Sequence, residues 1–264
     1  MHYPMRLKLI ACEILFREFS SLAARSTNTI DPVFLTKGLH DVGRERMRNA
    51  LDEAISAVDE RNYDAILLGY ALCNGGVVDL EARTIPIVIP RAHDCITLFL
   101  GNRHEYLDYF YANPGTYFKT TGWIERGNDL LQSGPPGSEY DGTLGSLGMH
   151  QTFDELVAKY GRDNAEYLWN ELRQMPHYSK LTFIETGVEP DDRFEQETRR
   201  LAEERGWEFE KLVGNLDLLR RLLDGDWNDE DFLVLKPGQS IRFDYTDAII
   251  TSAPVMEKQD QPAS

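Results

Sequence analysis

Four short apolar runs separated by helical stretches constrain the first half of this chain more than any other feature. Residues 5–12 (MRLKLIAC), 33–39, 64–69 (DAILLG) and 85–90 (IPIVIP) read as buried strands. Between them, residues 14–24 place Leu15, Phe19 and Leu22 at helical spacing, and residues 41–59 place Met47, Leu51, Ala54, Ile55 and Val58 on one helical face. A further helix is expected from Cys95 through Tyr111. Strands alternating with helices build a parallel sheet covered on both faces, so the expected class is an open, Rossmann-like α/β fold. No GxGxxG follows the first strand, so a standard dinucleotide fingerprint is excluded.

The second half repeats this alternation less regularly. Strands are expected at 180–186, 207–213 and 232–235, and helices at 152–160, 164–175, 191–206 and 216–223. Between the halves, residues 113–150 are rich in Gly, Pro, Ser and Thr. The expected organisation is therefore two βαβ lobes around a cleft. An N-terminal lobe covers 1–126, a connection or lid 127–150, a C-terminal lobe 151–255, and a disordered tail 256–264.

Charge narrows the partners. The chain of 264 residues carries a net charge of −16. Residues 1–130 hold 14 Lys and Arg against 17 Asp and Glu, a net of −3; residues 131–264 hold 14 against 27, a net of −13. No run of basic residues supplies a face for nucleic acid. No apolar run approaches the roughly 18–20 residues of a membrane span, and no signal peptide is visible. Three cysteines, Cys12, Cys73 and Cys95, are too few for a disulfide framework. A reducing cytoplasm is the expected location, with the thiols free, metal-bound or nucleophilic.

Ligands of open parallel sheets collect at the carboxyl ends of the strands. Cys12 ends the first expected strand, Cys73 lies four residues beyond the third, and His93, Asp94 and Cys95 follow the fourth. Each cysteine alone is more often a core residue, but together all three map to one edge. Three thiols and an imidazole match a tetrahedral zinc site, so Cys12, Cys73, His93 and Cys95 are the candidate metal ligands. An iron–sulfur cluster on three cysteines and a metal-free Cys nucleophile with His93 as base are the alternatives. Asp94 reads as a helix cap. Asn74, in the Asn74-Gly75-Gly76 turn, offers an anion contact, and Arg91 a carboxylate or phosphate grip or a structural pairing. Tyr117, Lys119 and Trp123 offer a ligand wall with a surface for an ammonium group, or a packed aromatic loop.

The segments LIACEILFRE, NTIDPVFLTKGLHDVG, YDAILLGYALCNGG, IPRAHDCITLFLG and PGTYFKTTGWIERG resemble the DUF 1638 family, a domain of unknown function, with HDC the most specific part. The likeness continues weakly into GDWNDEDFLVLKPGQSI. The resemblance implies an association with corrinoid-dependent methyl transfer and so a corrinoid protein or methyltransferase as partner. That fits a zinc–thiolate site on Cys12, Cys73, His93 and Cys95. The expected function is a zinc thiolate enzyme acting on a small-molecule substrate, with methyl transfer linked to corrinoid one-carbon metabolism as the expected reaction. The rival is a non-catalytic accessory protein that handles a metal or corrinoid.

Overall fold

The structure is a computed structural model that describes residues 3–40, 43–126, 162 and 178–255. Strand β1 (Arg6–Cys12) leads through a short 3-10 turn into α1 (Phe16–Ala23), then β2 (Thr29–Leu35). Helix α2 (Arg44–Ser56) buries Met47, Leu51 and Ile55, the apolar face read from the sequence. β3 (Ala65–Gly69) and β4 (Ile87–Pro90) are buried along their whole length, as expected for strands covered on both faces.

These strands form a five-stranded sheet in the order β2-β1-β3-β4-β8, where β8 is Phe232–Leu235. The first four are parallel, and β8 closes the sheet antiparallel to β4. The α/β class and parallel-dominated, Rossmann-like sheet agree with the sequence reading. At one edge, β2 carries Pro32, which is tolerated where no further strand needs its missing N–H.

The expected helix from Cys95 to Tyr111 is two helices, α3 (Cys95–Leu100) and α4 (Arg103–Ala112). Gly101 adopts a left-handed φ of 75° and ends the first, while the Asn102 side chain accepts from the His104 and Glu105 N–H groups and starts the second.

The chain divides into two compact units, and the division does not follow the expected boundaries at 126 and 151. The first unit is Met1–Gly101 with Leu216–Ser264; the second is Asn102–Asn215. The physical reason is strand pairing: β8 hydrogen-bonds to β4, so the C-terminal segment belongs with the N-terminal sheet. Helix α7 (Asp217–Asp224) packs against α1, β3 and β4. Asn28 Nδ2 donates to the Leu223 carbonyl at 2.8 Å. An antiparallel hairpin, β9 (Gln239–Phe243) and β10 (Ile250–Pro254), completes this unit.

The second unit holds a parallel three-stranded sheet in the order β5-β6-β7: Thr116–Lys119, Lys180–Glu185 and Glu208–Val213. α5 (Thr121–Arg126) follows β5, and α6 (Arg193–Arg205) joins β6 to β7. The expected helices at 152–160 and 164–175, the connection at 127–150 and the tail at 256–264 lie outside the described residues, Arg162 apart and Met1–His2 and Asp41–Val42 likewise undescribed. No helix among the described residues is long and apolar enough to cross a membrane.

Candidate functional site

The strand order of the first sheet reverses direction beside β1: the chain runs from β1 out to β2, then back across to β3. Such a switch point leaves a crevice outside the carboxyl ends of the two central strands, the place where open α/β sheets bind ligands. Here those ends are Cys12 on β1 and Gly69-Tyr70 on β3. Gly69 pairs with Ala11. A Cβ there would lie 2.5 Å from both the Ala11 Cβ and the Phe19 ring.

Past β3 the backbone keeps following its neighbour. The Leu72 N–H donates to the Ala92 carbonyl at 2.9 Å, and the Cys73 N–H to the His93 carbonyl at 3.2 Å. Cys73 opens a 3-10 turn (Cys73–Gly75) with φ +41°, a left-handed conformation that non-glycine residues adopt at a cost and that clusters at functional sites. Residues 76–79 continue as turn. The Asn74 side chain lies outside the described residues.

Asp94 caps α3: its Oδ1 accepts from Ile96 N at 3.0 Å and Thr97 N at 3.2 Å. That places Cys95 at the first helical residue, half-buried, while His93 is exposed. Cys12 and Cys73 are buried, and none of the three cysteines is in a disulfide. The sheet thus brings the three cysteines and His93 to one edge. Among the described residues no group of three or more His, Cys, Asp or Glu side chains is already gathered as a metal-holding cluster.

Burial governs the electrostatics. It pushes the Cys12 thiol up to about 11, against the opposing pull of the Ile14 backbone N–H and, more weakly, of Lys37. Burial also raises Cys73, with Cys12 and Asp94 adding to the effect. Tyr70 is raised by burial and by Cys12, Cys73 and Glu13. Cys12 and Cys73 are thus within electrostatic reach of each other and of Tyr70, and Asp94 within reach of Cys73. Lys37, after β2, is fixed beside them: its backbone N–H donates to Glu13 Oε1 at 2.8 Å.

Tyr70 is the residue that sequence reasoning missed. It is 1% exposed, and its hydroxyl is buried with no hydrogen-bond partner among the described residues. The available signal was its position, the first residue past a buried strand.

The Cys12 shift has a consequence for stability. The folded state holds the thiol proton more tightly than an unfolded chain, whose thiol titrates near 9.0. The stabilisation is complete below pH 9 and is lost as pH rises toward about 11. In metal-free protein this contribution is roughly 2–3 kcal/mol. Urea unfolding at pH 8 and pH 10.5 should show a steeper loss for wild type than for Cys12→Ala; equal losses would mean that the thiol is not held protonated by burial.

Arg91 does not present a free guanidinium for an anion. Its Nε donates to the Asp229 carbonyl at 3.0 Å and the Phe232 carbonyl at 3.2 Å. Its Nη1 donates to the Ala248 carbonyl at 2.9 Å and also to the Ile250 carbonyl. It ties β4 to β8 and to the start of β10.

Tyr117, Lys119 and Trp123 belong to the second unit. Tyr117 packs on the Leu181–Ala202 core, its ring edge-on to Tyr178 at 5.1 Å. That is the packed-aromatic arrangement. Lys119, at the end of β5, is buried. Trp123 is half-buried in α5, and its backbone N–H donates to Thr120 Oγ1 at 3.3 Å.

No curated protein matches the chain. A family model described as a protein of unknown function, DUF1638, matches residues 34–223. The match takes in Cys73, His93 and Cys95 and begins after Cys12. Spanning most of the sequence, it shows that this chain belongs to the DUF1638 family of proteins of unknown function.

Proposed function

We propose that the carboxyl edge of β1, β3 and β4 is a thiol site that binds a soft metal, zinc by its donor set, and acts on a small molecule. The observation that carries this reading is the placement of all three cysteines of the chain, with His93, at the edge containing the switch point. Thiolate sulfur and imidazole nitrogen are the donors that zinc takes. The ligand set is Cys12, Cys73, Cys95 and His93, and a metal would have to draw these side chains together. A buried thiol kept protonated is a poor nucleophile, which favours the metal reading over a metal-free cysteine nucleophile.

Bound zinc would supply a Lewis acid and keep its thiols deprotonated. The chain's own groups do the rest. The apolar walls of β1 and β3 exclude water, Asp94 fixes the start of α3 and so the position of Cys95, and Lys37 places a positive charge near Cys12. Methyl transfer linked to corrinoid metabolism is the reaction class that we assign, with a corrinoid supplied by a partner protein. Its support is the chemistry of zinc thiolates and the family resemblance of the HDC segment.

The test is metal analysis of the full chain prepared with zinc, and anaerobically with iron and sulfide. Wild type should carry stoichiometric zinc, and Cys12→Ser, Cys73→Ser, Cys95→Ser and His93→Ala should each lose it or bind it at least tenfold more weakly. Metal retained only from iron and sulfide would replace zinc with a cluster. A wild-type chain that retains neither would overturn the metal reading.

A further inference from the structure

Two arginines from different elements meet on one carboxylate beside the Cys73–Gly75 turn. Arg44 opens α2, and Arg242 lies in β9. Arg44 Nη2 donates to Asp79 Oδ2 at 3.3 Å, and Arg242 Nη1 donates to Asp79 Oδ1. The group thus carries two positive charges against one negative. Each guanidinium spends a single nitrogen on Asp79, and its Nε and other Nη have no acceptor among the described residues. Both side chains are also open to water, Arg44 at 46% and Arg242 at 36% exposure.

Packing fixes the pair. The Arg44 guanidinium lies over the Phe243 ring, 5.1 Å from its centroid. Gly75 comes so close that a Cβ on it would stand 2.7 Å from the Phe243 ring and 3.5 Å from Arg44 Cδ and Nε. The Asp79 N–H donates to the Ile241 carbonyl at 2.9 Å, and the Ile241 N–H to the Leu80 carbonyl at 3.0 Å, so β9 clamps the segment that carries the carboxylate. Asp79 is held there at φ +70°, a conformation that costs a non-glycine residue energy and persists only where the surroundings impose it. Arg44 and Arg46 also stand in the first turn of α2, which has no side-chain cap. Cations there oppose the helix dipole, and the first N–H groups of a helix lack intrahelical acceptors. Fold stability gives no reason for this concentration of donors, whereas a bound oxyanion accounts for it.

We infer that the Arg44–Arg242 pair is the binding site for a phosphate group, free or carried by a small molecule. The inference goes beyond the thiol reading and stands without a metal. A tetrahedral dianion suits the set: its several oxygens accept from both guanidiniums through the nitrogens that Asp79 leaves over, and its second charge is favoured by the helix N-terminus. The Gly75 and Gly76 N–H groups are already spent on the Leu72 and Cys73 carbonyls at 2.9 and 3.1 Å, and Arg91 serves backbone carbonyls. Neither therefore supplies the anion contact that the arginine pair offers.

Calorimetric titration of the metal-free full chain with inorganic phosphate tests the inference, at an ionic strength held constant with chloride so that screening does not change. Wild type should bind phosphate saturably and more tightly than acetate. Arg44→Gln and Arg242→Gln should each weaken phosphate at least about tenfold, the worth of a lost charge-assisted hydrogen bond. Asp79→Asn keeps both arginines, tolerates the left-handed backbone and removes the competing charge, so it should bind phosphate as tightly as wild type or more tightly. This variant decides the matter even where an arginine variant fails to fold. Wild type without saturable phosphate binding, folded arginine variants that bind like wild type, or binding lost in folded Asp79→Asn would each overturn the inference. Acetate bound as tightly as phosphate would overturn phosphate as the ligand. Methyl phosphate, titrated alongside, separates the sources: tighter binding than inorganic phosphate supports an ester carried by a small molecule, and equal or weaker binding supports the free ion.

Discussion

Arg91→Met will destabilise the fold by about 3 kcal/mol, the range for losing several charge-assisted bonds to partly buried carbonyls. The guanidinium serves four backbone carbonyls, those of Asp229, Phe232, Ala248 and Ile250. Methionine keeps much of the apolar stem and removes the donors, so the loss reports the hydrogen bonds rather than a cavity. Lysine should recover little, because its three donors lie on a point charge rather than on a planar fork. Urea unfolding of the metal-free chain measures this directly. A change below ~0.5 kcal/mol, the level of an ordinary surface substitution, would return Arg91 to the role of a free anion contact. The expected loss also separates the two roles in practice: a binding residue would lower ligand affinity and leave the midpoint alone.

Gly69→Ala will destabilise by about 2–3 kcal/mol through overpacking. The added methyl would meet the Ala11 Cβ and the Phe19 ring at 2.5 Å, closer than atoms can approach without movement. Phe19 is fully buried and anchors α1 to the sheet, so it cannot swing away into solvent. The strain falls on the two strands that frame the switch point, so metal binding should weaken together with stability. Phe19→Leu in the same chain should restore part of the loss, giving a coupling energy in a double-mutant cycle. Full additivity of the two substitutions would show that helix and strand do not meet there. An unaltered Gly69→Ala midpoint would show that the sheet can open by the required ångström.

The candidate edge was legible in the sequence for a simple reason. Parallel strands end on the same side, so whatever follows each apolar run is carried to one edge regardless of loop detail. Cys12, Cys73 and Cys95 could be placed there from strand ends alone. The direction of side chains could not, because a shift of one residue in register turns every side chain to the opposite face. Tyr70 shows this limit, as nothing in GYALCNGG marks its hydroxyl as enclosed. Arg91 shows another: its four carbonyl partners lie 138 to 159 residues away in the chain.

Other differences also have local causes. The break between α3 and α4 was visible as Gly101-Asn102, a left-handed stop followed by an Asx cap, but the continuous apolar pattern outweighed it in the reading. Strand β2 begins at Thr29 rather than Val33, because Pro32 reads as a strand breaker although an edge position accepts it. The hairpin of β9 and β10 was not foreseen, since its short polar strands carry little apolar signal.

By itself, the sequence determined the α/β class, the parallel core of β1, β3 and β4, and the side on which the cysteines lie. Those follow from local periodicity and from the handedness of strand–helix–strand units. Tertiary structure alone decided how the units divide. The free edge of β4 needed a partner for its backbone N–H and C=O groups, and β8 supplied it from the far end of the chain. That pairing, reinforced by Arg91, brings Leu216–Ser264 back to the unit that carries the thiols and leaves Asn102–Asn215 as a unit of its own. Periodicity identifies a strand, but the open edge that it joins is a property of the assembled sheet.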